Sequence, residues 1–333
     1  MRYIFFGSSE FAKIVLEKLL QNNLKPVLVV TQPPKPKGRK QILSPTSVQF
    51  IAEQNNIPFL TPENLNDKDF LQTIKNLQPD LILLIAYAKI IPSVLLKLPP
   101  QGFLNLHPSL LPRYRGATPI QSTILAGDKE AGVTLFLMDE QIDHGPTIAN
   151  SKFPPAPRLR RAGNIRAVAK AAMARRRQNS KLSYEELMNK LAELGAELII
   201  ETVPKWLKGE INAVPQNHSL ASYCHKITKE DEKINWNSKA IEIDRKVRAF
   251  NPDPGVYTQF NDLIIKILKG TNLQTNQFQD ARPGEVLTLD NKIGVKCSDD
   301  IYLIEELKPA GKKMMTSEAF LRGNKEIIGA ILH

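Results

Sequence analysis

The sequence predicts an α/β chain: a Rossmann-like, mostly parallel sheet with helices on both faces, followed by a small C-terminal OB-like β-barrel. Three observations carry this. Short apolar runs alternate with helical patterns over the first 150 residues, as in a parallel sheet with crossover helices. The longest helical pattern, Leu182 to Leu207, follows them. Beyond a polar, Pro-containing stretch, only short strands separated by Gly, Asn and Asp turns remain. Domains are therefore expected at 1–207 and 219–333, with a linker at 208–218.

Tyr3–Phe6 reads as the first strand and Glu10–Gln21 as the first helix, with Phe11, Ile14, Val15, Leu16, Leu19 and Leu20 near helical spacing. Ser8 or Ser9 supplies its N-cap. Val27–Val30 is the second strand. Pro33 to Pro45 is too rich in Pro and Gly for regular structure. Pro45–Asn55 and Asp67–Leu77 carry helical patterns, and Leu81–Ile85 is a buried strand. Phe103–His107 is a short apolar strand and Ala117–Leu125 a helix. Gly132–Met138 is a strand that runs into an acidic turn, and a further strand lies near Thr147–Phe153. In the second domain, strands are expected at Gly255–Phe260, Leu263–Leu268, Gly284–Leu289, Gly294–Lys296 and Ile301–Leu307. No internal repeat is present.

At 333 residues the chain is long enough for two domains with real cores. Its 42% hydrophobic and 24% charged content suits a soluble globular protein. No stretch approaches the roughly 18 apolar residues of a membrane helix. Tyr3-Ile4-Phe5-Phe6 begins almost at once, without the pattern of a secretory leader. Cys224 and Cys297 permit one disulfide but fit a reduced cytosol better, so a cytoplasmic protein is expected. The net charge of +11 points to an anionic partner. Residues 158–177 hold eight of the basic residues and no acid, so without them the balance falls to +3.

The chemistry concentrates in Asn105-Leu106-His107 and Asp143-His144-Gly145. Residues i and i+2 of a strand point to one side, so an amide and an imidazole face one centre. Pro108 ends the strand there. A buried Asn and His side by side would each need several hydrogen-bond partners, which favours a ligand-facing pair. By sequence alone either Asp139 or Asp143 can be the carboxylate that answers His107, with Gly145 allowing the bend. Phe6-Gly7-Ser8-Ser9-Glu10-Phe11 lacks the three-glycine spacing of a dinucleotide fingerprint. The histidines at 107, 144, 218, 225 and 333 show no ligand spacing with Cys or Asp, so no metal is expected.

These residues carry a resemblance. Asn105-x-His107-Pro108-Ser109-Leu110-Leu111-Pro112-x-x-Arg115-Gly116, then Asp143-x-Gly145, resembles the formyltransferases that use 10-formyltetrahydrofolate. The likeness extends over nearly the whole chain. It takes in Thr31-Gln32-Pro33, Gly127 to Thr134, Leu191 to Ala196, Ile234-Asn235-Trp236, Arg248 to Pro252 and Gly311-Lys312-Lys313. Within the family the chain looks like the branch that formylates methionyl-tRNA. The basic loop Pro33 to Lys40 and the C-terminal domain are what point to tRNA.

The resemblance implies Asn105 as oxyanion donor, His107 as a second donor, and Asp143 as the group that orients His107 and shuttles protons. It implies a folate site from Ile85, Ala86, Tyr87, Ala88, Ile90, Ser109, Leu110, Leu111, Pro112, Met138 and Gln141. It implies tRNA contacts from Lys35, Lys37, Arg39, Lys40, Arg248, Lys312 and Lys313. Arg113 and Arg115 either hold phosphate or order their loop. The implied partners are initiator methionyl-tRNA and the folate co-substrate, with no metal, no membrane and a monomeric chain.

One segment departs from the family, which passes from the strand near 147–153 to the Leu191 helix through a short connection. Here 158–180 intervenes, and 158–177 holds seven of the chain's fifteen arginines. Two readings stay open: a basic helical arm that grips RNA, or a frame error, insertion or assembly artefact in the recorded sequence. Rivals for the function are a formyltransferase of another amine, such as a UDP-amino-sugar, and a catalytically silent RNA-binding homologue.

Overall fold

A computed structural model of the chain describes residues 1–37, 41–153 and 181–333. Two compact units emerge. One gathers Met1–Pro119, the strands after Lys129 and Glu185–Cys224; the other gathers Ile120–Asp128 and His225–His333. The expected basic segment 158–180 lies outside the described residues.

The first unit opens with β1 (Tyr3–Gly7), α1 (Glu10–Gln21) and β2 (Leu28–Val30). Ser9 caps α1, its hydroxyl accepting from the Ala12 N–H at 3.2 Å. Ser8 instead accepts from the Gln32 N–H at 3.0 Å, holding the chain that leaves β2. The stretch expected to be irregular forms a small hairpin of β3 (Lys35–Lys37) and β4 (Ile42–Ser44). A two-stranded ribbon has no further neighbour, so the missing N–H of Pro36 costs it no ladder bond to a third strand. Helix α2 (Ser47–Gln54), β5 (Phe59–Leu60), α3 (Lys68–Asn76), β6 (Leu81–Ile85), α4 (Ser93–Leu96) and β7 (Phe103–His107) follow. The chain continues with β8 (Arg115–Gly116), α5 (Pro119–Ala126, which from Ile120 on belongs to the second unit), and then, back in the first, β9 (Ala131–Leu137), β10 (Thr147–Phe153), α6 (Tyr184–Leu207) and β11 (Tyr223–Cys224).

The main sheet has seven strands in the order β10-β9-β7-β6-β1-β2-β5. β5, β2, β1, β6 and β7 are mutually parallel; β9 is antiparallel to β7, and β10, antiparallel to β9, returns to the common direction. Strands β1, β6 and β7 are buried at every position, as expected of a sheet covered on both faces. The chain builds outward from β1 to β5, then returns to the other side of β1 with β6. That reversal is the position where open α/β sheets leave a crevice beyond the strand ends.

Phe6 anchors the core. It packs edge-on against Phe70, Tyr87 and Phe103, with centroids 6.5, 5.2 and 5.6 Å away. These rings tie β1, α3, β6's following loop and β7 into one apolar cluster.

The second unit adds α7 (Lys229–Glu232), α8 (Ala240–Phe250), β12 (Val256–Phe260), β13 (Leu263–Leu273), β14 (Val286–Leu289), β15 (Lys292–Lys296), β16 (Ile301–Pro309), β17 (Met315–Thr316) and α9 (Ser317–Arg322). Its antiparallel sheet runs β12-β13-β16-β15-β14, with β17 on β16. β13 extends past its expected end at Leu268, because Gly270 sits beside an irregularity in the β13–β16 ladder and not in a turn. The ladder is an open path whose two edges are joined by the C-terminal residues. Gln259 and His333 exchange backbone bonds of 2.8 and 3.0 Å, and Ala330 and Gly329 pair with Val286 at 2.9 and 2.8 Å. Trp236 fills the interior, its indole N–H donating to Thr258 Oγ1 at 2.9 Å. Both cysteines are free and buried, and burial pushes the Cys297 thiol up to about 12.

Phe6→Ala is expected to destabilise the first unit by about 3–5 kcal/mol, since it empties the centre of a close-packed aromatic cluster. Denaturant unfolding measures this, and a midpoint near wild type would show that the cluster collapses around the gap.

Candidate active site

Asn105 and His107 lie on β7 with Leu106 between them, so both side chains leave one face of the sheet. Both are buried, at 9% and 5% exposure. The Asn105 amide makes no side-chain hydrogen bond among the described residues. His107 Nε2 meets the Tyr114 carbonyl at 2.9 Å. A carbonyl only accepts, so Nε2 carries a proton in this contact. Nδ1 faces Asp143 Oδ2 at 3.6 Å. That gap is too long for a hydrogen bond and leaves Nδ1 available to an incoming group.

The carboxylate reaches His107 by an indirect route. β9 is antiparallel to β7, with Leu104 opposite Leu137 and His107 opposite Thr134. The turn after β9 therefore starts beside the wrong end of β7, where the Met138 N–H donates to the Phe103 carbonyl at 2.8 Å. The loop must come back along the strand. Asp143 itself makes the reversal, in a left-handed conformation with φ +50°. Gly145, expected to supply that bend, serves close approach instead: a Cβ there would lie 1.9 Å from the Leu137 carbonyl oxygen. Asp143 Oδ2 also accepts the Gly116 N–H at 2.8 Å. Gly116 has φ +115°, and any Cβ would collide with the Cys224 carbonyl at 2.3 Å.

Asp139, left open as a rival, is used elsewhere. Its Oδ2 accepts from His144 Nδ1 at 2.6 Å and its Oδ1 from the Gln141 N–H at 2.9 Å. His144 stacks on His218, centroids 4.1 Å apart and planes within 3°.

The loop after β7 is built by its own polar groups. Ser109 Oγ donates to the Arg113 carbonyl at 2.6 Å, and Thr134 Oγ1 bridges the Ser109 carbonyl and the Leu111 N–H at 2.7 and 3.1 Å. The Ser109 hydroxyl proton is thus spent on the loop. Leu110, Leu111 and Pro112 remain half-buried at its surface. Arg115, 1% exposed, orders the loop from inside. Its guanidinium donates to Gln216 Oε1 at 2.7 and 3.3 Å, to Tyr223 Oη at 3.3 Å and to His218 Nδ1 at 2.9 Å. Of the two roles open to it, phosphate binding is the one this burial removes.

Beyond β6, Ala86 and Ala88 both take positive φ, +45° and +60°, and are exposed, as is Ile90. Tyr87 turns the other way. Its ring is buried against Phe6, burial pushes its phenol up to about 12, and only its backbone faces outward chemistry. Ile85 is likewise buried in β6, so for both residues it is the backbone that the strand end offers. Met138 is half-buried against the same apolar cluster and Gln141 is exposed.

The tRNA candidates divide. Lys35 lies in β3, and its ammonium donates to Gln32 Oε1 at 2.6 Å while the Gln32 amide donates to the Tyr87 carbonyl. The hairpin is thereby tied to the loop after β6. Lys37 is also in β3; Arg39 and Lys40 lie outside the described residues. Lys312 and Lys313 are exposed after β16. Arg248 is not a free cation: it pairs with Asp244 at 2.9 Å and donates to the Leu182 carbonyl at 2.8 Å, with its side chain only 16% exposed. Helical i,i+4 spacing with Asp244 was the signal for that pairing. Among the described residues no group of three His, Cys, Asp or Glu is placed to hold a metal, and no helix is long and apolar enough to cross a membrane.

Loss of solvent around the ring, then the stacked His144 and the Arg115 guanidinium, hold the His218 pKa below the ordinary histidine value, against a smaller opposing pull from Asp139. Its stabilising neutral form is present above about pH 6.5 and is lost as pH falls through the lowered pKa. Titration of the His218 ring followed by NMR is expected to give a midpoint below 6.5 that rises in His144→Ala; an unmoved midpoint would remove the stacked ring as a cause.

Two family models match the chain: formyl transferase over residues 1–161, and the formyl transferase C-terminal domain over 226–325. The methionyl-tRNA formyltransferase of Dictyoglomus thermophilum is 38% identical over 99% of both chains. That of Thermodesulfovibrio yellowstonii is 38% identical over 97% of this chain and 96% of its own. Among solved structures, an N-formyltransferase from Helicobacter canadensis, complexed with folinic acid and dTDP-3-aminofucose, shares the fold at TM-score 0.60 and 21% identity, covering 91% and 98% of the two chains. HypX from Aquifex aeolicus, complexed with tetrahydrofolic acid, shares it at TM-score 0.59 and 18% identity; the match spans 99% of this chain but 48% of HypX. With both domains matched and relatives of such identity along its full length, the chain belongs to the formyl transferase family, in its methionyl-tRNA formyltransferase group.

Proposed function

We propose that the chain transfers a formyl group from 10-formyltetrahydrofolate to the α-amino group of methionine on initiator tRNA. The observation that carries the chemistry is the pairing of an unspent buried amide, Asn105, with a histidine whose Nδ1 faces a carboxylate across 3.6 Å. The full-length relatives carry the choice of acceptor.

The co-substrate supplies an activated formyl carbon. The residues near it fit a flat polar ring: backbone turned outward at Ala86 and Ala88, and a half-buried apolar rim from Leu110, Leu111, Pro112 and Met138. The methionine nitrogen attacks the formyl carbon and the carbonyl π pair moves onto oxygen. Asn105 donates to that oxygen, which it can do without first breaking another bond. His107 enters with Nδ1 unprotonated. It takes the proton released from the attacking nitrogen, directly or through water, and Asp143 stabilises the imidazolium so formed. The carbon–N10 bond then breaks and the proton passes to the leaving nitrogen. In this order His107 is a base first and a donor second. The doubly protonated ring would be needed for it to serve as an oxyanion donor from the start.

The acceptor end of the tRNA enters from the side of the β3–β4 hairpin. Its cations neutralise phosphate without reading bases, and Lys312 and Lys313 do so in the second unit. The chain works as a monomer in the cytoplasm.

Asn105→Ala is expected to lose about 10²–10³-fold in kcat, the usual cost of one oxyanion donor. His107→Ala and Asp143→Ala should lose about 10²–10⁴-fold. Asp139→Ala, whose carboxylate is engaged with His144, should lose less than about tenfold. Steady-state formylation with circular dichroism as a folding control measures all four. Comparable loss from Asp139→Ala with Asp143→Ala active would mean the wrong carboxylate has been named.

The acceptor is tested with labelled formyl donor and three amines: charged initiator tRNA, charged elongator tRNA and a UDP-amino-sugar. Transfer to the initiator alone is the expected result. Transfer to the sugar nucleotide, or tRNA binding with no transfer to any amine, would overturn the reading in favour of one rival or the other.

A further inference from the structure

We infer that Gln216 is a positioning residue for Asp143, acting by gripping the backbone carbonyls at its turn and two residues beyond it. This rests on the catalytic reading above. Gln216 sits in the stretch that composition marks as a linker, yet it is 7% exposed and fully hydrogen-bonded. Its Nε2 donates to the Asp143 carbonyl at 3.0 Å and to the Gly145 carbonyl at 2.7 Å. Its Oε1 accepts twice from Arg115.

The direction of this amide is dictated by chemistry. A guanidinium has donors only and a carbonyl has acceptors only. Flipping the amide would set its N–H groups against Arg115 and its oxygen against two carbonyls. One orientation therefore satisfies all four contacts. The side chain is a rigid strut between a buried cation and the returning loop.

What the strut holds is a strained turn. A left-handed conformation costs an L residue about 1–2 kcal/mol, less for Asp. Fixing the carbonyls of residues 143 and 145 holds the peptide planes that follow this left-handed residue, and so constrains the ψ of Asp143 and the seat of its side chain. The same side chain is held at its far end by the Gly116 N–H at 2.8 Å. Gly116 is the neighbour of Arg115, so both grips return to one point of the chain. Arg115 is itself tied by its backbone N–H to the Ser222 carbonyl at 2.8 Å. The result is a closed ring of hydrogen bonds: Arg115 to Gln216, Gln216 to the Asp143 turn, Asp143 to Gly116. His107 sits outside that ring with its Nδ1 at 3.6 Å from the carboxylate. A shift of about 1 Å in a reacting group can cost on the order of 10²-fold in rate.

The test uses Gln216→Glu and Gln216→Met in the full chain. Glu keeps an acceptor for Arg115 but has no N–H for the two carbonyls. Met removes both functions at similar volume and serves if Glu fails to fold. With thermal unfolding as the control, kcat is expected to fall about 10–100-fold, while KM for folate and for tRNA stays within about threefold. In an Asp143→Asn background the further loss should shrink to below about threefold, because Gln216 acts through Asp143. Hydrogen exchange at the Gly116 amide should quicken at least about tenfold, since its acceptor has moved. Wild-type kcat in a folded variant would overturn the proposal, as would an equal fold-loss added on top of Asp143→Asn. Gly116 protection that is unchanged would overturn it whatever the reaction. A wild-type chain that formylates nothing would instead sink the catalytic reading, and the exchange measurement separates the two failures.

Discussion

The constraint on which the site depends is the antiparallel insertion of β9 beside β7. Had β9 been parallel, the turn after it would emerge next to His107 and a short loop would suffice. Because it is antiparallel, the turn emerges next to Phe103, a strand length of ~13 Å away at ~3.3 Å per residue. Everything distinctive about residues 138–146 follows from the need to return. Gly145 lies against the backbone of Leu137, where a side chain has no room. Asp143 reverses the chain with positive φ. Asp139 and His144 pair with each other at 2.6 Å, which takes one acidic group of the turn out of competition for His107. A loop that must travel and still deliver one oxygen to a defined place needs anchors at its tip. Gly116 and Gln216 supply them from two different segments of the chain.

This explains why the amide and the imidazole were legible in the sequence while the anchoring was not. Asn105 and His107 are two apart on a strand, and strand periodicity alone sets them on one face. Pro108 marks the strand end. Those are local signals. The choice between Asp139 and Asp143 is not local, since the two lie four residues apart in one turn and only the path of the loop separates them. Gln216 is further still from any signal. It lies between Pro215 and Asn217 in a polar stretch, and its partners are 71, 73 and 101 residues away. Arg115 shows the same limit: its charge invited phosphate, and burial decided otherwise.

The fold divides the same way. Parallel strands buried on both faces read as continuous apolar runs, which is why β6 and β7 fall within the expected bounds to the residue. The β3–β4 hairpin was hidden by its three nearby prolines, because a two-stranded ribbon tolerates what a central strand does not. Helix α8 lies outside the elements predicted above, although Asp244 and Arg248 stand at the i,i+4 spacing of a helical pair. In the second unit, the sheet's edges meet through the C-terminal residues, which have no strand pattern of their own.

The hairpin and the loop after β6 are joined by the chain Lys35 to Gln32 to the Tyr87 carbonyl. One end of this relay is a cation on an exposed ribbon; the other is the backbone between two alanines at positive φ. A phosphate that drew Lys35 away would free Gln32 Oε1 and loosen its amide's hold on Tyr87. The Tyr87 ring cannot follow, since it is locked edge-on against Phe6 in the core. Any response is therefore confined to the backbone of residues 86–88, the part that faces the proposed folate. The hairpin and the loop after β6 are thus physically continuous, through two side chains and one carbonyl.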